Sequence, residues 1–448
     1  MKKVQKPPPE NNQQSSQYAR AICGDEGVED EVREYNRRYL SFDELTYRVP
    51  DQKRRELIWH LMKAHRRLQY ETIPYPPLPL IYSLTPDIAK NLHTYDRYLS
   101  GTLRIKSNEI RPEKYYIINA MMEEAIASSI LEGAVTTRKK AQELLISKRK
   151  PKSTDEQMVV NNYEAMQYIL TQKDEPISRE MICEIQQIVT HNTINTEDVG
   201  VFRDNNEIVV ADATTGAIQH TPPDHREIGE MIGAFCRFAN YDDEEAGKPD
   251  GISIHPIIKG IILHYLIGYI HPFADGNGRT ARTIFYWYLL SRGYWLFEYM
   301  AISRAIQRTK KQYARAYQKT RHDEMDLTYF INYNLSCINE ALQDLLHYIE
   351  EKQAEQKRAR SISRKVPGIN ERQADILRTM IEQADEYFTI RQIMQMHAVV
   401  YETARTDLLT LLERGFIRKE KRGKAFVFIF NEESGLWISP GVCLPTGL

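Results

Sequence analysis

Hydrophobic residues recur at helical spacing through most of the chain between residues 30 and 350. The stretches ELIWHLMKAHRRL, KYYIINAMMEEAIASSIL and AQELLISK repeat apolar side chains every three or four positions, which is the period of an amphipathic helix. Residues 255–270, HPIIKGIILHYLIGYI, are apolar on nearly every side and predict a helix at the centre of a bundle. Two short β runs flank a glycine in NEIVVADATTGAIQHTPP and predict a hairpin. The pattern therefore predicts a mainly α fold with one small hairpin among the helices.

Composition along the chain indicates five regions. Proline, glutamine, asparagine and serine dominate the start and predict a disordered tail, and the charged run KRARSISRKVPGI predicts a linker after the last long helix. The expected regions are a tail over 1–20, an N-terminal helical region over 21–110, a helical domain over 111–350, a charged linker over 351–369 and a second domain over 370–448.

The second domain has the pattern of a winged helix-turn-helix, a small α+β domain. NERQADILRTMIEQ, TIRQIMQMHAV and YETARTDLLTLLERGFI predict three helices, and IRKE and AFVFIF predict two strands joined by the basic turn KRGK. The basic residues of this segment favour contact with DNA phosphates: Arg418, Lys419, Lys421, Arg422 and Lys424. Winged helices also bind proteins and dimerise, so DNA, a protein and a second copy of the chain all stay open as partners.

Charge and cysteine content narrow the function classes. The 60 basic and 61 acidic residues leave a net charge of -1, so no overall field favours nucleic acid or membrane. The five cysteines are far apart and outside any CxxC spacing, which argues against a disulfide framework and a zinc site. No uninterrupted apolar run reaches membrane-spanning length, and the polar start lacks the apolar region of a signal peptide. We expect a cytoplasmic protein without a membrane partner.

Residues 271–282, HPFADGNGRTAR, concentrate the candidate chemistry. Gly276, Gly278 and Ala281 fit the dinucleotide-binding pattern G-x-G-x-x-A, with Glu298 downstream to meet a ribose. That fold needs alternating strands and helices, whereas the residues after 300 have a helical, arginine-rich pattern. The context therefore disfavours a dinucleotide site.

A second interpretation is a polar helix start, in which residues 275–277 turn and cap the chain. It leaves Arg279 and Arg282 unexplained, because they lie three positions apart on one face of the following helix. Two arginines beside the exposed N–H groups of a helix start form an anion site. A di- or triphosphate is the anion that best matches this site.

The stretch resembles the signature of the Fic family, H-x-F-x-[D/E]-G-N-G-R-x-x-R, at every fixed position. The resemblance covers about residues 110–350 and implies a Fic helical bundle with a β-hairpin flap. It also implies a nucleotidyltransferase that moves AMP from ATP onto a serine, threonine or tyrosine hydroxyl of a target protein. The intact His271 favours this enzyme over the alternative, a DNA-binding regulator that uses the same core as a nucleotide sensor.

Transfer of this kind needs a base, a metal and donors that hold the phosphates in line. We expect His271 to take the hydroxyl proton and Asp275 to hold Mg²⁺. Phe273 is expected to anchor the loop in the core. The residues expected to bind the phosphates of ATP are Gly276, Asn277 and Gly278 at the α-phosphate and Arg279 and Arg282 at the β- and γ-phosphates.

The family resemblance gives the hairpin the task of docking the target backbone by strand addition. Its expected docking residues are Ile208, Val209, Val210, His220 and Thr221. Tyr313 lies where the family often stacks an aromatic ring near adenine, although it fits a core position equally well. His264 is expected to be a core histidine, and His255, before a proline, to begin a helix.

The stretch SSILEG, 128–133, resembles the inhibitory helix motif [S/T]-x-x-x-E-[G/N] of Fic proteins, carried here by Ser128, Glu132 and Gly133. Its position before the core implies the class with an N-terminal inhibitory helix, at about residues 115–133. Glu132 paired with Arg282 would occupy the guanidinium that should hold the γ-phosphate. The same glutamate helps related enzymes to remove AMP, so the reverse reaction stays open.

Overall fold

The computed structural model describes residues 4–9, 26–100, 104–105, 108–109, 114–211, 215–241, 253–366, 368–383, 386–422, 425–431 and 434. The chain divides into two compact units, Met1–Leu342 and Gln343–Leu448. Their described residues are mainly helical, as the apolar periodicity predicts.

The first unit holds thirteen described helices and the start of a fourteenth. They are α1 Glu26–Arg37, α2 Phe42–Leu45, α3 Gln52–Arg67, α4 Pro86–Tyr95, α5 Lys114–Leu131, α6 Arg138–Ser147, α7 Thr154–Thr171, α8 Arg179–Thr190, α9 Ile228–Asn240, α10 Pro256–Ile270, α11 Asn277–Ser291, α12 Ile302–Arg308, α13 Lys310–His322 and α14 Thr328–Lys365. Short 3-10 and π turns connect several of them, at Asp96–Ser100, Thr196–Asp198, His225–Glu227 and Trp295–Tyr299.

The strands form separate two-stranded antiparallel sheets. They are β1 Tyr70–Thr72 with β2 Ile81–Ser83, β3 Arg104–Ile105 with β4 Asn108–Glu109, β5 Val210–Ala211 with β6 Ile218–His220, and β7 Ile417–Arg422 with β8 Ala425–Phe430. The β5–β6 pair is the hairpin predicted from the alternating segment, with Val210 opposite His220.

Helix α10 is the centre of the first unit, as its apolar sequence predicts. Every residue from Ile257 to Ile267 is buried, and α11 packs along it. Gly260 permits this close packing, because a Cβ there would lie 3.1 Å from Leu289 Cδ2. His264 is a core residue and His255 caps the start of α10 by accepting the Ile257 N–H, so both histidines have the places predicted for them.

A buried polar network ties the N-terminal helices to α13 and α14. Lys63 donates to Asp323 at 2.7 Å, and both side chains are 5% exposed. Arg66 donates to the hydroxyl of Tyr329, which donates to the second oxygen of Asp323. Tyr39 donates to Asp326 at 2.7 Å. A buried ion pair resists removal of either partner, so this network fixes the N-terminal region against the helices that follow the candidate site.

The beginning of the chain departs from the predicted disordered tail over residues 4–9. Val4 is 3% exposed, and the N–H of Gln5 donates to Asp43 Oδ1 at 2.9 Å. Composition predicts disorder from the segment's own residues, whereas this order depends on Asp43, a residue far along the chain. Residues 1–3 and 10–20 of the predicted tail lie outside the described residues.

Residues 351–365 of the predicted linker belong to helix α14. The segment is rich in glutamate, lysine, arginine and glutamine, which are good helix formers, so its charge does not interrupt the helix. The division between the two units also falls earlier in the chain than the predicted linker.

The second unit contains three further helices followed by the β7–β8 hairpin, in the order that the sequence predicts. The helices are α15 Glu371–Glu382, α16 Ile390–Met396 and α17 Tyr401–Glu413. Buried apolar residues from all of these elements form one core, with Leu377, Ile393, Leu408 and Phe428 among them. Phe388 also pairs with Phe428 through backbone hydrogen bonds, which adds a third short extended segment to the hairpin.

The structure bears on the predictions about disulfides and membrane spans for the residues that it describes. Cys183, Cys236 and Cys337 are free thiols, while Cys23 and Cys443 lie outside the described residues. Across the described residues, none of the helices combines the length and the apolar character that crossing a bilayer requires.

Candidate active site

The candidate loop, residues 271–276, connects the end of α10 to the start of α11. His271 ends α10 in the left-handed conformation, with φ 48°, and Gly276 precedes α11 with φ 84°. A Cβ at Gly276 would lie 2.6 Å from Cγ2 of Thr190, so both backbone conformation and space favour glycine. Strained conformations at adjacent turns are typical of functional loops.

Arg203 holds this loop from outside. Its backbone N–H donates to the carbonyl of Pro272 at 2.9 Å, and its Nε donates to the carbonyl of His271 at 2.9 Å. The remaining guanidinium donors bind the carbonyls of Asn205 and Pro223 at 2.7 and 2.6 Å. One buried arginine thus fixes the backbone of the loop and the segments on either side of the β5–β6 hairpin.

Asn277 clamps the loop from within. Its Oδ1 accepts the N–H of Phe273 at 2.9 Å, and its Nδ2 donates to the carbonyl of Phe273 at 2.8 Å. Asn277 is 2% exposed, and both polar atoms of its side chain are therefore used by the protein backbone. Its side chain shapes the loop, in contrast to the α-phosphate contact expected from the sequence. Phe273 is fully buried against Phe202, as expected of a core anchor.

The imidazole of His271 is held in one tautomer. Its Nδ1 lies 3.4 Å from the carbonyl of Gly268, an acceptor that requires a proton on Nδ1. The other nitrogen, Nε2, is then the basic one. Burial lowers the pKa of His271 below its ordinary value, and the Gly268 carbonyl and nearby carboxylates only partly oppose this. The ring is therefore neutral and able to accept a proton at neutral pH.

Helix α11 directs its N-terminus into the loop. The first N–H groups of a helix have no acceptor within it, and those of Asn277, Gly278 and Arg279 occupy this position. Arg279 is 2% exposed, donates to the carbonyl of Val189 at 2.6 Å and lies 3.5 Å from Asp275. Burial lowers the pKa of Arg279 more than Asp275 and Glu132 raise it. The helix end and its arginines together form an anion site.

Glu132 places its carboxylate in this anion site. Its Oε1 lies 2.9 Å from Nη1 of Arg282, and because the Nη1–H groups are not aligned with the oxygen, the contact is an ion pair. A Cβ added to Gly278 would lie 2.2 Å from the same oxygen. Only glycine at position 278 lets the carboxylate come so close to the start of α11. The internal carboxylate thus lies where an external phosphate would meet the same groups.

Ser128 completes the contact between α5 and Arg282. Its Oγ accepts from Nε at 3.0 Å and from Nη2 at 2.9 Å. Burial alone would lower the pKa of Arg282, but Glu132, Tyr313 and Glu124 together outweigh it and the pKa is raised. Burial would likewise raise the pKa of Glu132, yet Arg282 and more distant cations lower it. Both groups are therefore charged at neutral pH.

The turn after α5 presents Glu132 to the site. Gly133 has φ 104°, and the N–H of Ala134 returns to the carbonyl of Ser129 at 3.0 Å, which ends the helix. Lys310 Nζ donates to the carbonyl of Leu131 at 2.7 Å. A glycine in the left-handed region and a lysine on the last carbonyl together fix the direction in which Glu132 leaves the helix.

Asp275 is the exposed carboxylate of the loop. Its side chain is 60% exposed, and its Oδ1 accepts the N–H of Gly276. Within the described ranges, no group of three or more histidine, cysteine, aspartate and glutamate side chains could hold a metal by itself. One exposed carboxylate beside an anion site suits Mg²⁺, which binds through one or two carboxylates, phosphate oxygens and water.

The β5–β6 hairpin lies beside His271, the candidate base. Nε2 of His220 contacts the carbonyl of Tyr269 at 2.6 Å, and burial lowers the pKa of His220 to about 4. Val209 and Ile218 are 41% and 62% exposed, so the hairpin presents apolar side chains outward. The other predicted docking residues are the partly buried Ile208 and Val210 and the exposed Thr221.

Tyr313 lies on α13 next to the arginine side of the site. Its hydroxyl contacts Nε2 of His264 at 2.9 Å, and its ring packs against Tyr317 and Phe330. The charge of Arg282 partly opposes the rise in the pKa of Tyr313 that burial causes, so the two side chains lie near each other. It therefore has a core position at the edge of the site, consistent with either of the two roles that the sequence leaves open.

Three supporting residues have no signal in the sequence motifs. Arg203 holds the loop backbone, Gln186 donates to the carbonyl of Asp275 at 3.1 Å, and Glu124 binds Tyr286 and Ser303 beneath the site. Each acts on a partner remote in sequence, so periodicity and local motifs could not identify it. Burial of a charged or amide side chain is visible only in the folded structure.

Comparison with known proteins agrees with the signature. Residues 176–289 match the model of the Fic/DOC family. A protein adenylyltransferase Fic from Nematostella vectensis is 33% identical over 134 residues, which are 29% of this chain and 28% of that protein. One from Drosophila ananassae is 29% identical over 133 residues, 29% of this chain and 23% of the relative.

Among solved structures, a Fic family protein from Desulfovibrio desulfuricans G20 aligns with a TM-score of 0.46 and 16% identity, over 78% of this chain and 98% of its own. The segment of this chain that matches the Nematostella vectensis and Drosophila ananassae relatives spans about a quarter of their length, 28% and 23% respectively. The family match includes the candidate loop and the hairpin and begins after the Glu132 segment.

We expect Asn277→Ala to loosen the candidate loop. The substitution leaves the buried N–H and carbonyl of Phe273 without partners, which costs about 1–3 kcal/mol of stability. The measurement is the shift of the thermal unfolding transition, with hydrogen exchange at Phe273 as a local readout. Asn195→Ala is the control, since Asn195 is exposed and makes no side-chain cap bond. A shift for Asn277→Ala no larger than that of the control would contradict the clamp.

Proposed function

Because residues 176–289 belong to the Fic/DOC family, we propose that this protein transfers AMP from ATP to a hydroxyl side chain of a target protein. One observation carries the proposal. A histidine with a free basic nitrogen lies at one end of a loop whose other end begins a helix with two buried arginines. A base and an anion site five residues apart suit attack of a hydroxyl on a bound phosphate.

In the proposed reaction the hydroxyl oxygen of the target bonds to the α-phosphorus of ATP. The bond from that phosphorus to the bridging oxygen breaks, and diphosphate leaves with the electron pair. The hydroxyl proton passes to Nε2 of His271, whose Nδ1–H stays directed at Gly268. The lowered pKa of His271 keeps this nitrogen unprotonated before attack.

The start of α11 would bind the phosphates of ATP through the backbone N–H groups of Gly276, Gly278 and their neighbours. Because the Asn277 side chain already serves Phe273, we assign this residue a backbone role toward the α-phosphate. Arg279 and Arg282 would hold the β- and γ-phosphates. Mg²⁺ held by Asp275, phosphate oxygens and water would neutralise charge on the departing diphosphate.

The β5–β6 hairpin would dock the target. A peptide that adds a strand to the hairpin gains backbone hydrogen bonds of low sequence specificity and would bring its hydroxyl toward His271. The exposed Val209 and Ile218 offer apolar contact to side chains of that peptide. Serine, threonine and tyrosine hydroxyls are all compatible with this chemistry.

Glu132 would restrain the transfer. The carboxylate is already paired with Arg282 at the start of α11, so ATP must compete with it for the guanidinium. A triphosphate held without Arg282 would place its α-phosphorus off line for attack, and an error of about 1 Å can cost roughly a hundredfold in rate. Its lowered pKa keeps the Glu132 carboxylate ionised, and an ionised carboxylate would accept a proton from a water molecule, which suits the removal of AMP from a modified target.

We expect His271→Ala to abolish AMP transfer while ATP binding and folding persist. The imidazole acts on the hydroxyl, and the phosphate-binding groups lie on α11. In the wild-type protein the rate should be flat near neutral pH and should fall only below 6.5, as His271 is protonated through its lowered pKa. Incorporation of labelled AMP across pH, with ATP affinity measured in parallel, checks both statements. Loss of ATP affinity in the variant would overturn the assignment of the base.

We expect Glu132→Gly to raise AMP transfer, by up to about a hundredfold. Removal of the carboxylate frees Arg282 for the γ-phosphate. In Glu132→Gly, Arg282→Ala most of the gain should disappear, because the gain acts through the arginine. Labelling of the protein itself and of added target proteins is the measurement. A gain that survives in the double variant would point to simple loosening of α5 instead. If Glu132→Gly lowers labelling and also stops the removal of AMP from a modified target, Glu132 acts in the reverse reaction.

We propose a second, separate function for the second unit, which is contact with DNA. Strand β7 follows the three helices of this unit along the chain, which is the order of elements typical of a winged helix. It carries three exposed cations, Arg418, Lys419 and Lys421. Lys419 lies 4.1 Å from the ring centroid of Phe426. Contact of this unit with a protein or with a second copy of the chain is the competing proposal.

Charge reversal at Lys419 and Lys421, which share one face of β7, should weaken DNA binding and reduce its salt dependence. The slope should fall by about one unit for each phosphate that the variant no longer neutralises. Lys90→Glu, at an exposed position of the first unit, is the control. Fluorescence anisotropy with duplex DNA over a range of salt gives the slopes. A wild-type protein without salt-dependent affinity would leave protein contact as the function of this unit.

A further inference from the structure

Helices α5 and α11 contact each other through residues spaced by four on both helices. Glu124 accepts from the hydroxyl of Tyr286 at 2.8 Å. One turn further along α5, Ser128 accepts from Arg282, and beyond the helix end Glu132 lies against Gly278 and Arg282. The sequence numbers rise by four on α5 while they fall by four on α11.

This arrangement is an antiparallel ladder with three rungs: Glu124 with Tyr286, Ser128 with Arg282, and Glu132 with Gly278. Rows of residues four apart form the ridges by which helices pack, and each step of four residues advances about 6 Å along a helix. A shift of α5 by one residue would move every rung together. The position of Glu132 at the anion site therefore depends on what fixes the first rung.

Glu124 has the contacts that a fixed rung requires. It is 2% exposed, and its Oε2 accepts the backbone N–H of Ser303 at 2.8 Å in addition to the Tyr286 hydroxyl. Its Oε1 accepts from the hydroxyl of Ser303. The hydroxyl oxygen of Tyr286 also accepts the N–H of Ile302 and lies 2.8 Å from the carbonyl of Met300.

These contacts join three helices at one carboxylate. Glu124 belongs to α5, Tyr286 to α11 and Ser303 to the first turn of α12. The middle of α5 is thereby fixed against both partners, two helical turns away from Glu132. Ser128 at the middle rung accepts from Nε and Nη2 of Arg282, a side chain that is itself part of the anion site.

We propose that Glu124 is a positioning residue that sets the register of α5 on α11 and so keeps Glu132 paired with Arg282. The proposal rests on the function proposed above, because it names what maintains the restraint on that site. Glu124 lies below the site: its hydrogen bonds run to Tyr286 and Ser303, outside the loop and the phosphate-binding groups, and Arg282 acts on it through its charge. Without its hydrogen bonds α5 would shift or fray, and Glu132 would leave the anion site for part of the time.

The neighbouring Glu123 offers a matched control. It is an acidic residue on the same helix, its side chain is 13% exposed, and it pairs with Arg138 at 2.7 Å and Gln142 at 2.6 Å, both on α6. Glu123→Leu therefore removes a buried carboxylate from α5 without touching the ladder. A general loosening of α5 would be produced by both substitutions, whereas a change of register requires Glu124.

The first readout does not depend on catalysis. The amide N–H groups of Glu132, Gly133 and Ala134 bond to α5 carbonyls, and their hydrogen exchange reports on the end of the helix. In Glu124→Leu we expect exchange there to rise about tenfold, since the loss of a buried hydrogen bond shifts an equilibrium by roughly that much. Glu123→Leu should leave it unchanged.

Glu124→Gln should restore slow exchange. Burial raises the pKa of Glu124 despite the donors from Ser303 and Tyr286, so a neutral amide that can accept the Ser303 N–H is a close replacement. If Glu124→Leu fails to fold, Ser303→Ala removes one hydrogen bond from the opposite side and should raise exchange at the same three amides. Unchanged exchange in Glu124→Leu overturns the proposal. If that variant does not fold, unchanged exchange in Ser303→Ala overturns it instead. An equal rise of exchange in Glu123→Leu also overturns it.

The second readout is AMP transfer. Glu124→Leu should raise labelling, but never above the level of Glu132→Gly, and the double variant should equal Glu132→Gly alone because both changes act through one carboxylate. Additive gains in the double variant overturn the proposal. If no variant, including Glu132→Gly, incorporates AMP, then the function proposed above fails, while the exchange measurements still decide whether Glu124 fixes the ladder.

Discussion

The ion pair between Glu132 and Arg282 is the interaction on which the rest of the site depends. Arg282 is 3% exposed in the second turn of α11, so it needs an anion, and the helix N-terminus near it favours one as well. In this structure the anion is a carboxylate from α5. The groups that would bind a triphosphate in the proposed reaction therefore hold part of the chain itself, and the proposed restraint uses the same interactions as the proposed binding of substrate.

The scaffold around the pair is arranged to keep these groups in place. The buried helix α10 carries His271 at its end, and α11 packed along it carries the arginines, so base and anion site are fixed by one helix pair. Arg203 and Asn277 bind the backbone of the intervening loop. On the other side, Glu124 and Lys310 hold the middle and the C-terminal end of α5. Each contact uses buried donors or acceptors, which are costly to leave unpaired.

The sequence predicts the parts of the site that are local. Residues 271–282 lie on one loop and the first two turns of one helix, so their types and spacing predict a base next to an anion site, and the resemblance to the inhibitory motif leads to the prediction that Glu132 restrains the site. Apart from the pair of Glu132 with Arg282, the sequence does not predict which partner each side chain takes. Asn277 binds Phe273, Val4 is buried and residues 351–365 are helical because tertiary contacts or helix propensity outweigh the local signals.

The central claim is that Glu132 and the terminal phosphate compete for one anion site. The most direct measurement compares the dissociation constants of ATP and AMP, by calorimetry with Mg²⁺, for the wild-type protein and for Glu132→Gln. The account predicts that ATP binds more tightly to the variant while the affinity for AMP, which has no γ-phosphate, hardly changes. Equal changes for both nucleotides, or no change for ATP, would contradict it.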